Sequence, residues 1–136
     1  LKLNKIASSM LEWDMELCRD MVDNGMKTFC SLGKWESDDM PFENKNVHYF
    51  HCVAKYPHTF DDAMELMPEK FDKKLIGYSD HTIGIEACKE AVDRGATVIE
   101  KHFTLNHELQ SDTEGAHICS MNLEELKKLR NFYEKL

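Results

Sequence analysis

An α/β fold built on a parallel sheet is predicted for this chain by three observations. Helix and strand patterns alternate along it, the connections between them are short, and polar residues of reactive type gather where the strands end. At 136 residues the chain has the length of one domain with a buried core. Both an open doubly wound sheet and a (β/α)8 barrel satisfy the alternation. A complete barrel takes ~250 residues, so in the second case this chain supplies little more than half of one.

The elements follow in order. "KLNKIAS" is the end of a first strand. "DMELCRDMVDNG" carries Met15, Cys18, Met21 and Val22 at helical spacing and stops at Gly25, a residue suited to the left-handed position past a helix end. "MKTFCS" is a short second strand, and "VHYFHCV" and "KLIGYS" are the third and fourth, with a weaker helix in "TFDDAMELMPEKF" between them. "GIEACKEAVDRGATVIEKHF" repeats the helix, glycine, strand order, with Ile85, Cys88, Ala91 and Val92 as the face and Gly95 as the stop. In "NLEELKKLRNFYEKL", Asn122 caps a last helix, Glu125 completes a capping box, and Leu123, Leu126, Leu129 and Tyr133 are expected to face inward. Five strands and four helices result.

Composition narrows the function. With 17 Lys+Arg against 25 Asp+Glu, the net charge of -8 gives a nucleic acid or an anionic membrane no general attraction. The five cysteines, Cys18, Cys30, Cys52, Cys88 and Cys119, are odd in number, widely spaced and without a C-x-x-C pair, which argues against a disulfide framework and against a zinc finger. A reducing cytoplasm fits that usage. No apolar run approaches the ~20 residues of a membrane span, and "LKLNKIASSM" lacks the apolar stretch of a signal peptide.

In parallel α/β folds ligands sit at the carboxyl ends of the strands, where loops converge and helix N-termini point inward. Lys5 and Ser8 end the first strand, Ser31 and Gly33 the second, and Lys55 and Tyr56 follow the third; Ser79, Asp80 and His81 end the fourth, and Glu100, Lys101 and His102 the fifth. Imidazoles on neighbouring strands, roughly 5 Å apart, can share one divalent cation. His81 and His102 are therefore candidate metal ligands, with Asp80 and Glu100 as acceptors that would fix their tautomers. The Lys5 ammonium and the Ser8, Ser31 and Ser79 hydroxyls form a candidate anion cradle. Each residue also has a plainer reading: a lone histidine is usually structural, and strand-end serines often only cap the next helix.

"IGYSDHTIGIEACKEAVDRGATVIEKHFTL" resembles the signature of the sialic acid synthase (N-acetylneuraminate synthase) family through its S-D-H-T-x-G and I-E-K-H-F-T elements. "HCVAKYP" resembles the family's C-V-S-x-Y-P strand end, and "KIASSM" and "TFCSLGKW" its K-I-x-S and S-T-G-M strand ends more loosely. The resemblance implies a (β/α)8 TIM-barrel domain, of which residues 1–136 cover about the second half, strands 4 to 8, with the family's antifreeze-like C-terminal domain not in the chain. It implies metal-dependent condensation of phosphoenolpyruvate with an N-acylated amino sugar, N-acetylmannosamine-like, to a sialic or nonulosonic acid and phosphate. It further implies that His81 and His102 hold Mn2+ or Mg2+, that Lys5, Ser8, Ser31 and Ser79 hold phosphoenolpyruvate, that Tyr56 and Asp80 line the substrate site, and that Lys5, His81 and His102 are catalytic.

Departures accompany the likeness. Met10 stands where the family carries an acid after K-I-x-S, with Glu12 two residues off; Ala54 replaces a serine, and "SDTEGAHICS" replaces a G-P-D-H loop, leaving His117 as a match and Asp112 as a substitute acid. Two other readings remain: a different phosphoenolpyruvate-using or aldolase-type barrel enzyme, and a non-catalytic remnant of a synthase. Open strand edges predict that the chain self-associates into a homo-oligomer and that alone it is inactive.

Overall fold

A computed structural model describes residues 2–110 and 118–135. Five strands, β1 (Asn4–Ile6), β2 (Thr28–Ser31), β3 (Val47–Cys52), β4 (Leu75–Asp80) and β5 (Val98–Lys101), form one sheet in the order β1-β2-β3-β4-β5. Every pairing is parallel. A doubly wound sheet reverses its strand order at a switch point, and this one does not. The sheet is also curled. In a flat sheet β1 and β5 would stand about 19 Å apart, beyond the joint reach of two side chains, yet Lys5 on β1 forms an ion pair with Glu100 on β5. The architecture is a five-stranded half-barrel.

The helices are α1 (Met10–Trp13), α2 (Met15–Asp23), α3 (Phe60–Leu66), α4 (Glu86–Asp93) and α5 (Leu123–Tyr133), with a 3-10 turn at His107–Gln110. Their starts are set by side chains that satisfy otherwise unpaired amides. Asp14 accepts from the Leu17 amide, while Thr59 with Asp62 and Asn122 with Glu125 form capping boxes. Their stops use the left-handed conformation open to glycine, with Gly25 at φ 78° and Gly95 at φ 97°. None of the described helices is long and apolar enough to cross a membrane.

Strand alternation separates two layers. Toward the helices point Ile6, Cys30 and Tyr49, packed with Cys18 and Val22 of α2, and Tyr78, packed with Ala63, Ala87 and Ala91. Toward the concave face point Lys5, Phe29, Ser31 and Phe50, with the two phenyl rings 5.0 Å apart and the Lys5 ammonium 4.8 Å from the Phe50 ring centre. Between β2 and β3 the alternation lapses: residues 32–46 contain no helix, and Trp35, Met40 and Phe42 pack against the cluster instead. The Tyr49 hydroxyl holds that loop, accepting from the Phe42 amide at 3.0 Å and donating to its carbonyl at 2.6 Å.

Two element-level expectations change. Of the α5 residues expected to face inward only Leu129 is buried, in a cluster with Ile85, Cys88 and Met121; Leu123, Leu126 and Tyr133 are exposed, so the covered stripe of the helix is narrow. The short helix α1, absent from the expected four, buries Leu11 beside the end of β1.

Candidate functional site

Lys5 projects from β1 into the concave face, where its ammonium donates to the Ser31 hydroxyl at 2.5 Å and pairs with the Glu100 carboxylate. Ser8 follows β1, and its hydroxyl accepts from the Gly33 amide at 3.0 Å. A side chain at residue 33 has no room: a Cβ there would lie 2.9 Å from the Cys52 carbonyl and 3.0 Å from Ser8 Oγ. The backbone of the β2–β3 loop thereby closes on the hydroxyl and fixes it. Cys52, one strand over, takes hydrogen bonds from Ser8 and Ser79 at its sulfur; burial pushes its thiol pKa up, and the two hydroxyls only partly offset that. Lys5, Ser8, Ser31 and Ser79 thus lie along one face, three of them buried.

The histidines converge beside them. Ring centres of His81 and His102 are 5.7 Å apart, and Tyr56 packs against both, 3.9 Å from His81 and 6.2 Å from His102. His81 is buried, and its Nδ1 lies 3.0 Å from the Val53 carbonyl. A carbonyl only accepts, so Nδ1 carries the proton and Nε2 keeps its lone pair. Burial holds the His81 pKa below the ordinary imidazole range despite that bond, with His102 adding to the depression. A neutral imidazole with a free Nε2 is the form that ligates a metal. The exposed His102 lies across a cleft of about 110 Å³ lined by Ser79, His81, Glu100, Lys101 and His102. A shallow groove of about 410 Å³ continues past Lys5, Phe29 and Phe50.

Two imidazoles at this separation fit one divalent ion at ~2.1 Å from each nitrogen, the remaining positions being left for water and substrate oxygens. Among the described residues no group of three or more histidine, cysteine, aspartate and glutamate side chains converges as a metal site. The donor set offered is therefore a histidine pair.

Asp80 requires a correction. Its neighbours in sequence, Ser79 and His81, line the cleft, so strand alternation turns Asp80 to the opposite face, where its side chain is fully buried against α4. There it binds Lys101, Thr82, Tyr78 and Cys88. It neither lines this cleft nor orients an imidazole directly, and Glu100 is engaged with Lys5. The carbonyl of Val53, which no side-chain motif reveals, is what fixes the His81 tautomer. Of the substituted positions, Glu12 pairs with Lys34 at 2.9 Å on the surface, and Asp112 and His117 lie outside the described residues.

A larger hollow of about 740 Å³ is lined by residues such as Met40, Phe42, Val47, Lys73 and Lys74 at the opposite, amino-terminal end of the strands. It contains none of the residues just described. In a parallel barrel the chemistry belongs to the carboxyl end, so the smaller cleft is the functional candidate.

Comparison with known proteins accords with that geometry. A family profile described as the NeuB family matches residues 1–136. An N,N'-diacetyllegionaminic acid synthase from Campylobacter jejuni is 40% identical over 112 residues, covering 79% of this chain and 30% of that protein. The N-acetylneuraminate-9-phosphate synthase of Drosophila melanogaster is 29% identical over 113 residues, covering 80% and 30%. A crystal structure of the N-acetylneuraminic acid synthetase of Leptospira borgpetersenii, in complex with citrate, superimposes with a TM-score of 0.78 at 29% identity, over 99% of this chain and 50% of that one. The chain thus spans half the length of that structure and about a third of the two relatives.

Proposed function

The chain belongs to the NeuB family, and from that premise we propose that it supplies half of the active site of an enzyme that condenses phosphoenolpyruvate with an N-acylated amino sugar aldehyde. The products are a nonulosonic acid of the sialic acid type and inorganic phosphate. The observation that carries this reading is the meeting, on one concave face, of a lysine and serine cradle with a pair of neighbouring histidines.

Phosphoenolpyruvate brings a phosphate and a carboxylate, and the cradle suits such an anion. Glu100 pairs with the Lys5 ammonium. An entering anion takes the same donor, with the Ser31 hydroxyl already aligned at 2.5 Å and the Ser8 and Ser79 hydroxyls further along the face. His81 and His102 would hold Mn2+ or Mg2+, which supplies polarisation of the sugar aldehyde. Tyr56, packed on both rings, keeps their edges together and walls the sugar side; burial raises its hydroxyl pKa, so it stays a neutral donor. In the reaction the enol carbon bonds to the aldehyde carbon, water adds at the former enol position, and the C–O bond to phosphate breaks.

Positioning of two substrates accounts for much of the rate in such a step, and a half-barrel provides one wall. The chain joined to the amino-terminal half-barrel of the Campylobacter jejuni relative should form phosphate and a sugar acid from phosphoenolpyruvate, N-acetylmannosamine and Mn2+, and His81→Ala should abolish this. The isolated chain should show no turnover. Phosphate release that ignores the sugar would contradict condensation, and robust turnover by monomeric chain would contradict the half-site.

A further inference from the structure

We infer that the buried Asp80–Lys101 ion pair, on the far side of the sheet from the cleft, is a clamp that sets the separation of His81 and His102, so that both are positioning residues. The inference rests on the proposed metal role of the histidines for its function, and on geometry alone for its structure. Each member of the pair immediately precedes one histidine. The ammonium of Lys101 lies 2.5 Å from Asp80 Oδ2 and donates to the Thr82 carbonyl at 2.7 Å. Asp80 in turn accepts from the Thr82 amide at 3.0 Å and from the Thr82 hydroxyl at 3.0 Å. His81 is therefore bracketed: the residue before it and both backbone groups of the residue after it are tied, through one ammonium and one carboxylate, to the residue before His102.

Ladder hydrogen bonds alone hold Asp80 beside Lys101 but leave the chain beyond Asp80 unpaired with β5. The clamp extends that register one residue further, to the ligands. Both charged side chains have no exposed surface. Burying a carboxylate and an ammonium is costly, and an apolar pair of equal volume commonly serves stability as well or better. A pair retained here is accounted for by the placement it imposes. Further contacts from the Tyr78 hydroxyl at 3.0 Å and the Cys88 thiol at 3.3 Å satisfy the carboxylate and anchor it to α4.

Two measurements on the 136-residue chain test this. Without metal, histidine side-chain NMR of the double variant Asp80→Asn/Lys101→Met should show the His81 and His102 resonances shifted and broadened, while His48 is unchanged. Val22→Ala, which loosens the packing of α2 on β1 and β2 away from the clamp, should leave the His81 and His102 resonances in place. In calorimetric titration with Mn2+, the double variant should lose roughly 10–100-fold in affinity, the range seen when partners that orient metal ligands are removed, and Val22→Ala should lose nothing. Lys101→Arg, which keeps the ammonium-like charge, should recover part of the loss. Unchanged histidine resonances in a folded double variant would overturn the clamp, as would wild-type Mn2+ affinity in it when His81→Ala abolishes binding. Equal Mn2+ binding by wild type and His81→Ala would instead overturn the metal reading, with the NMR comparison still deciding the clamp.

Discussion

At the residue scale, what decides a role here is which way the strand turns a side chain. Ser79 and His81 face the cleft and Asp80 between them faces the helices; Glu100 and His102 face the cleft, and Lys101 between them, though it borders the cleft, sends its ammonium to Asp80. That alternation is present in the sequence itself, and applied to "YSDH" and "IEKH" it separates the histidines from the Asp80–Lys101 pair. Not legible were the contacts of backbone groups, such as the Val53 carbonyl on His81, because they depend on how two loops meet. His51 shows the same dependence. It stacks on Tyr78 at 5.9 Å, its Nε2 is buried without a hydrogen-bond partner among the described residues, and burial, aided by His58, pushes its pKa down to about 4. A folded-state pKa below the unfolded value of ~6.5 means the unfolded chain binds the extra proton first. Stability should therefore be intact above pH ~6.5 and fall, by on the order of 3 kcal/mol, as pH drops toward the folded value. Urea midpoints across that window should decline for wild type and stay flatter for His51→Gln; parallel profiles would contradict the burial.

At the element scale, caps and stops were the most legible features because they are local. Asn122 with Glu125 caps α5, and Gly25 and Gly95 end α2 and α4 in the left-handed conformation. Around Gly95 the nearest atom to an added Cβ is the Phe71 carbonyl at 3.5 Å, so there is room, and the penalty of Gly95→Ala is conformational. That variant should lose roughly 1 kcal/mol or more, and Asn122→Ala about 1 kcal/mol, each read from the denaturant midpoint. An unchanged midpoint for Gly95→Ala would mean the turn is misassigned. Tertiary choices were less legible. The leucines of α5 have helical spacing, but only Leu129 is buried, and the segment from Leu32 to Asn46 gives up a helix for a loop pinned by Tyr49. Periodicity reports that a face is apolar, and packing decides how wide the covered stripe is.

At the scale of the whole molecule, alternation of elements gave a parallel sheet and left two architectures open; the monotonic strand order and the Lys5–Glu100 contact select the half-barrel. β1 and β5 are the edges of that sheet, and Leu3, Phe29 and Phe50 line its open concave groove. Unpaired strand edges beside apolar surface favour association, and the chain should sediment as a species larger than a monomer at micromolar concentration. A monomer over that range would contradict it. The net charge of -8 keeps the rest of the surface repulsive, so added salt should strengthen the association.

On the proposed reading, one face of the sheet carries two separable sites, an anion cradle at Lys5 and a metal pair at His81 and His102. Calorimetric titration of phosphoenolpyruvate and, separately, of Mn2+ into the chain tests it most directly. Lys5→Met should weaken phosphoenolpyruvate by roughly ten- to a hundredfold, the value of a charge-assisted bond, and leave Mn2+ unaffected. His81→Ala should do the reverse. Phosphoenolpyruvate binding that is indifferent to Lys5, together with Mn2+ binding that is indifferent to His81, would contradict the site.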